Sequence, residues 1–138
     1  MNDTMGHAAG DEVLRVIASR LRESFRATDF IARIGGDEFV VLLELDPMLV
    51  PNLQHSLQET MERIFKPIPV DGHVTYTGAA VGVTFLQADD TAASFVKRAD
   101  DYMYVAKTTE QRVAIVCFGQ VVEKPLVKVR HNRRGTQR

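Results

Sequence analysis

FIARIGGDEFVVLLEL, residues 30–45, is the stretch that decides how this chain folds. Two runs rich in β-branched and large apolar residues, 30–34 and 39–45, flank Gly35-Gly36-Asp37-Glu38. Such runs read as strands, and a glycine pair between them reads as a tight hairpin, because both central residues can take positive φ. The tip then carries bare backbone next to two carboxylates.

Upstream, Val13, Leu14, Ile17, Ala18, Leu21 and Phe25 share one helical face, with Asp11 placed to cap the N-terminus. Downstream, a second helix is expected over 51–65, with Leu53, Leu57, Met61 and Ile64 inward and Pro67 and Pro69 ending it. Residues 74–85 alternate as a strand, with Gly78 and Gly82 as weak points or bulges. A third helix over 91–107 is expected to bury Phe95, Ala99, Tyr102, Met103 and Ala106, and 113–118 reads as a last core strand. Residues 121–129 offer one more strand, which Pro125 would confine to an edge. Helix, hairpin, helix, strand, helix, strand is the pattern of an α+β sandwich, an antiparallel sheet with helices on one side. The sequence opens on a loop and helix, with no strand ahead of them.

The 138 residues suit one domain, and 45% apolar with 25% charged residues is an ordinary globular composition. No run approaches the ~18 apolar residues of a membrane span, and the first residues lack the basic start and apolar stretch of a secretory signal. Cys117 is the single cysteine, so no disulfide forms within the chain. A cytosolic setting follows, either free or as part of a longer anchored protein. The net charge of −1 is unevenly spread: residues 119–138 hold six Lys/Arg against one acid. Arg130, Arg133, Arg134 and Arg138 read either as an anionic-surface patch or as a solvated, partly disordered terminus, the second being favoured. No aromatic residue interleaves with them, so no nucleic-acid partner is expected.

A hairpin tip with bare glycine backbone lets main-chain N–H groups approach a phosphate while carboxylates hold a divalent metal against it. A surface hairpin with solvating acids has the same sequence. Three further motifs accompany it. Asn2-Asp3-Thr4-Met5-Gly6-His7-Ala8-Ala9-Gly10-Asp11 lies upstream, Arg26-Ala27-Thr28-Asp29 precedes the hairpin with five residues between, and Ala99-Asp100 through Ala106-Lys107 lies downstream.

Together these motifs resemble the GGDEF (diguanylate cyclase) family over roughly residues 2–118, leaving 119–138 as a basic C-terminal extension. The resemblance implies a ferredoxin-like, nucleotidyl-cyclase-like fold and the condensation of two GTP molecules into cyclic di-GMP by a magnesium-assisted homodimer. It implies that Gly35 and Gly36 face phosphates, that Asp37 and Glu38 are catalytic and hold the metal, and that Asn2 and Asp11 read the guanine edge. Lys107 matches a triphosphate-binding lysine, and Arg26 and Asp29 match the RxxD product-inhibition site for cyclic di-GMP. Plainer roles stand beside these: a helix cap for Asp11, a last-turn lysine complementing the helix dipole for Lys107, and a salt bridge at a helix end for Arg26 and Asp29.

Two departures matter. The family strand ahead of the Asn-Asp pair, with its metal-binding aspartate, has no counterpart in these residues. Where the family continues past its lysine with Gly-Arg, this chain has Glu110-Gln111, and Arg112 falls one place later. The expectation is therefore a GGDEF fold lacking its first strand, with the gap closed by residues 121–129 or by a strand from a second chain. Such a chain is expected to make no cyclic di-GMP alone. It would bind the dinucleotide through Arg26 and Asp29, or serve as an oligomerising or partner-binding domain.

Overall fold

Residues 3–44, 47–117 and 125–136 are described by the structure, a computed structural model. Helix α1 spans Asp3–Ser24 and turns Val13, Ile17 and Leu21 into the core. Asp11 lies well inside this helix and does not cap it. No proline interrupts residues 3–11, and a helix interior accepts Gly6 and Gly10 at about 1 kcal/mol each.

Strands β1 (Phe30–Arg33) and β2 (Glu38–Leu42) form the expected hairpin, with Arg33 opposite Phe39. The Ile34 amide donates to the Glu38 carbonyl at 3.0 Å, so Gly35-Gly36-Asp37 is a three-residue tip. Neither glycine of the tip uses its capacity for positive φ; among the described residues that region is used at Asp71 (51°) and Gly72 (77°). These two join β3 (Ile68–Val70) to β4 (His73–Phe85), pairing Val70 with His73. Asp-Gly is the strongest two-residue hairpin signal, and β3 accommodates Pro69 because it lies at a sheet edge.

A 3-10 turn at Pro47–Asn52 leads into α2 (Leu53–Ile64), which buries Leu53, Leu57, Met61 and Ile64 as its spacing predicts. Its last carbonyls are claimed from three directions. Arg20 donates to the carbonyls of Ile64 (2.8 Å) and Lys66 (2.9 Å), while Thr77 and Arg112 both donate to that of Phe65. Helix ends leave such groups without intrahelical partners, and arginines are effective at satisfying them. Helix α3 (Ala92–Lys107) begins with a capping box between Thr91 and Ser94 and buries Phe95, Ala99, Met103 and Ala106. Tyr102, expected inside, is only half-buried.

Strand β6 (Pro125–Thr136) completes a mixed six-stranded sheet in which five strands follow the order β1-β2-β6-β4-β3 and the sixth, β5 (Val113–Cys117), lies off that path, parallel to β4. β6 is central, antiparallel to both β2 and β4. The edge expected from Pro125 fails because proline stands at the strand's first residue, where a missing N–H breaks little of the ladder. The solvated terminus fails as well: Val127 and Val129 are fully buried, and Lys128 and His131 nearly so. The expected closure of the sheet from within the chain is found, though in residues 125–136, and 121–124 lie outside the described residues.

Alternation along the central strands divides the core. Phe39, Val41, Val81, Val83, Val127 and Val129 pack with α1 and α2, whereas Val40 and Ala80 pack under α3. Helices therefore cover both faces of the sheet and not one, because successive residues of β2 and β4 are apolar on both sides. Gly78 and Gly82 are points of close approach, not weak points. A Cβ at Gly82 would stand 2.1 Å from the Ala99 carbonyl oxygen, and one at Gly78 2.2 Å from that of Arg112.

Candidate nucleotide-binding hairpin and arginine cleft

The three-residue tip is held on two sides. The Arg33 guanidinium folds over it, donating to the Gly36 carbonyl at 2.6 Å and reaching that of Gly35 at 3.2 Å. From the other side the His131 amide of β6 donates to the Asp37 carbonyl at 2.9 Å, and the His131 ring stacks on Phe65. The tip is thereby fixed against the sheet.

The strand register brings β6 cations onto the hairpin's acids. Glu38 stands opposite Arg130 in the ladder. Arg130 lies 3.5 Å from Asp37 and 3.7 Å from Glu38; Lys128 lies 3.3 Å from Glu38 and 2.8 Å from Asp100 of α3. Lys128 is 7% exposed at its side chain, Glu38 24% and Asp37 40%. Pairing is what makes so buried an ammonium tolerable.

A cleft of about 410 Å³ opens beside the tip, lined by Gly10, Asp11, Leu14, Arg33, Gly36 and Asp37, together with His131. Of the sequence-predicted site residues it gathers Asp11, Gly36 and Asp37. Gly35 and Glu38 neighbour these in the hairpin without lining the cleft, Lys107 lies exposed in the last turn of α3, and Asn2 lies outside the described residues. Arg112 does not take the place of the family arginine: its guanidinium is committed to the carbonyls of Phe65 (2.6 Å) and Thr77 (3.1 Å).

Magnesium is bound through one or two carboxylates together with waters and substrate phosphates, so Asp37 and Glu38 suit it by residue type. What does not fit is that their charge is already answered, since both face the cations of β6.

A larger cleft, about 670 Å³, lies between the end of α1 and β1, lined among others by Arg22, Phe25, Arg26, Asp29, Phe30 and Arg33. The Asp29 carboxylate is 3% exposed and accepts the amides of Arg26 and Glu44, each at 2.9 Å. Its ion pair with Arg26 is 3.6 Å long, and the Arg26 side chain is 61% exposed. Asp29 thus anchors the turn, while Arg26 presents its guanidinium to the cleft. Sequence reasoning missed Arg33 and Lys128, and it set Arg130 in a solvated terminus instead of beside the hairpin. The alternation Val127-Lys128-Val129-Arg130 was the available signal for a strand with one charged face.

A fold of this order with a Gly-Gly-Asp-Glu-Phe hairpin defines a class, and comparison with known proteins agrees. Residues 1–112 match the family described as diguanylate cyclase, GGDEF domain. The chain belongs to the GGDEF family. It is similar to the diguanylate cyclases DgcP (37% identity over 109 residues) and TpbB (39% over 115 residues) of Pseudomonas aeruginosa, each alignment covering 78% of this chain. It is also similar to the cyclic di-GMP phosphodiesterase NbdA of the same organism, at 37% over 90 residues and 64% of the chain. The chain spans only 16%, 25% and 11% of the lengths of these relatives. No solved structure gives a significant match.

Proposed function

We propose that this chain is a GGDEF module of cyclic di-GMP signalling that, as arranged here, binds the dinucleotide in the arginine cleft and does not condense GTP. The observation that carries this reading is the pairing of an open cleft around Arg26 with an acidic hairpin already engaged by Lys128 and Arg130. Cyclic di-GMP offers two phosphates and two guanine faces. Guanidinium groups donate to phosphates and to guanine acceptor edges, and stack on the base planes. Arg22 and Arg26 supply such groups, Arg33 being engaged by the hairpin tip, and Phe25 and Phe30 supply apolar and stacking surface. Relatives named both for making and for degrading cyclic di-GMP support the signalling class.

The module comprises residues 1–118, and residues 119–138 form an extension that contributes β6. It works in the cytoplasm, where GTP and cyclic di-GMP are its small-molecule partners, and it pairs with a second copy as a homodimer. The second reading is a diguanylate cyclase that binds GTP and Mg2+ at Gly35, Gly36, Asp37 and Glu38, with Asp11 toward guanine. The cleft joining Asp11, Gly36 and Asp37 favours it, and the ion pairs of the hairpin oppose it.

Calorimetric titration with cyclic di-GMP tests the proposal. Saturable binding at micromolar order, weakened in Arg26→Ala, is expected. Absence of binding heat over a range of temperatures, or an unchanged affinity in Arg26→Ala, would leave the chain a scaffold or partner-binding domain.

A further inference from the structure

The hairpin acids would bind a divalent cation only if their charge were free to face it, and in this fold a neighbouring strand answers that charge. We propose that Lys128 and Arg130 of β6 are the built-in countercharge of the hairpin, standing in for a divalent cation and keeping Asp37 and Glu38 metal-free. The cluster holds three carboxylates, Asp37, Glu38 and Asp100, and two cations, Lys128 and Arg130, leaving one net negative charge. Lys128 bridges Glu38 of β2 and Asp100 of α3. Arg130 bridges Asp37 and Glu38 in the same manner on the more exposed side.

The arrangement is built into the ladder. Lys128 is paired in register with Val40 and Gly82, and Arg130 with Glu38 and Ala80, so neither Cα can move without breaking the central strand pairings. Opposite charges on facing strands attract each other as well as being carried there by the register. A metal entering the cluster would meet two fixed positive charges across a half-buried surface, where repulsion is poorly screened. The inference concerns the hairpin alone and does not depend on what the Arg26 cleft binds.

The test is a titration of the 138-residue protein with Mn2+, following the free ion by its paramagnetic resonance signal. The wild type is expected to show no saturable site below millimolar Mn2+, and its unfolding midpoint should not rise with the ion. A Lys128→Gln/Arg130→Gln protein, shown folded by circular dichroism, should bind Mn2+ at least about tenfold more tightly than wild type, as removal of two nearby like charges dictates. Arg130→Gln alone, which leaves the buried lysine in place, should show a smaller gain of the same sign. A saturable wild-type site abolished by Asp37→Asn would overturn the proposal. So would a folded Arg130→Gln protein with no gain in Mn2+ affinity.

Discussion

Arg26 and Asp29 form an RxxD pair, yet their environments assign them different work. The Asp29 carboxylate is buried and accepts the amides of Arg26 and Glu44, whereas the Arg26 guanidinium stands in solvent at the cleft. Arg26→Ala is therefore expected to weaken cyclic di-GMP binding by about 1.5–3 kcal/mol, the worth of a charge-assisted hydrogen bond, with little change in stability. Asp29→Ala should lower the unfolding midpoint too, because two backbone amides lose their acceptor; calorimetry and thermal unfolding of both variants separate the roles. A second acid has a different function. Asp90 accepts from Arg98, from the Gln87 amide and from Ser94, and the Arg98 hydrogen bond foremost holds its carboxyl well below the usual carboxylate range. A depressed acid contributes stability that is complete above its unfolded value, about 4, and is lost as pH falls through the lower folded value. The unfolding midpoint should thus fall steeply with acidification below about pH 4, and less steeply in Asp90→Asn, which has no carboxylate to protonate. At this scale the sequence showed which residues carry charge and chemistry. It did not show that Arg112 would turn to the carbonyls of Phe65 and Thr77, since that depends on where α2 ends against β4.

Among the elements, legibility followed periodicity. The inward residues of α2, the hairpin at 35–38 and the extent of α3 were readable because apolar spacing and a capping threonine mark them locally. The N-terminal extent of α1 was obscured by Gly6 and Gly10, and β3 by prolines that an edge strand accepts. Gly82 looked like a flaw in a strand; its reason lies in α3, whose Ala99 and Met103 backbone sits directly on it. Gly82→Ala must push α3 from the sheet and is expected to destabilise the fold by about 1–3 kcal/mol or more, in the manner of an overpacked core. Denaturant unfolding measures this, and an unchanged midpoint would show that α3 does not rest where described.

Across the whole molecule, β6 is where two readings of the sequence parted. Pro125 and the basic tail pointed locally to an edge or a solvated terminus, whereas the missing first strand pointed to closure of the sheet from this segment, and the unmet backbone groups of β2 and β4 decided for closure. That placement satisfies the sheet and brings Lys128 and Arg130 onto the hairpin acids, so fold and site chemistry share one cause. Phosphoryl transfer rests almost wholly on positioning and charge neutralisation, and single electrostatic groups of this kind are worth on the order of a hundredfold to a thousandfold in rate. This arrangement is expected to recognise cyclic di-GMP without making it. Incubating the 138-residue protein with GTP and Mg2+, and separating the products by chromatography, tests it most directly. No cyclic di-GMP above an Asp37→Ala control is expected; robust product from the wild type that this control abolishes would show that the chain is a working cyclase.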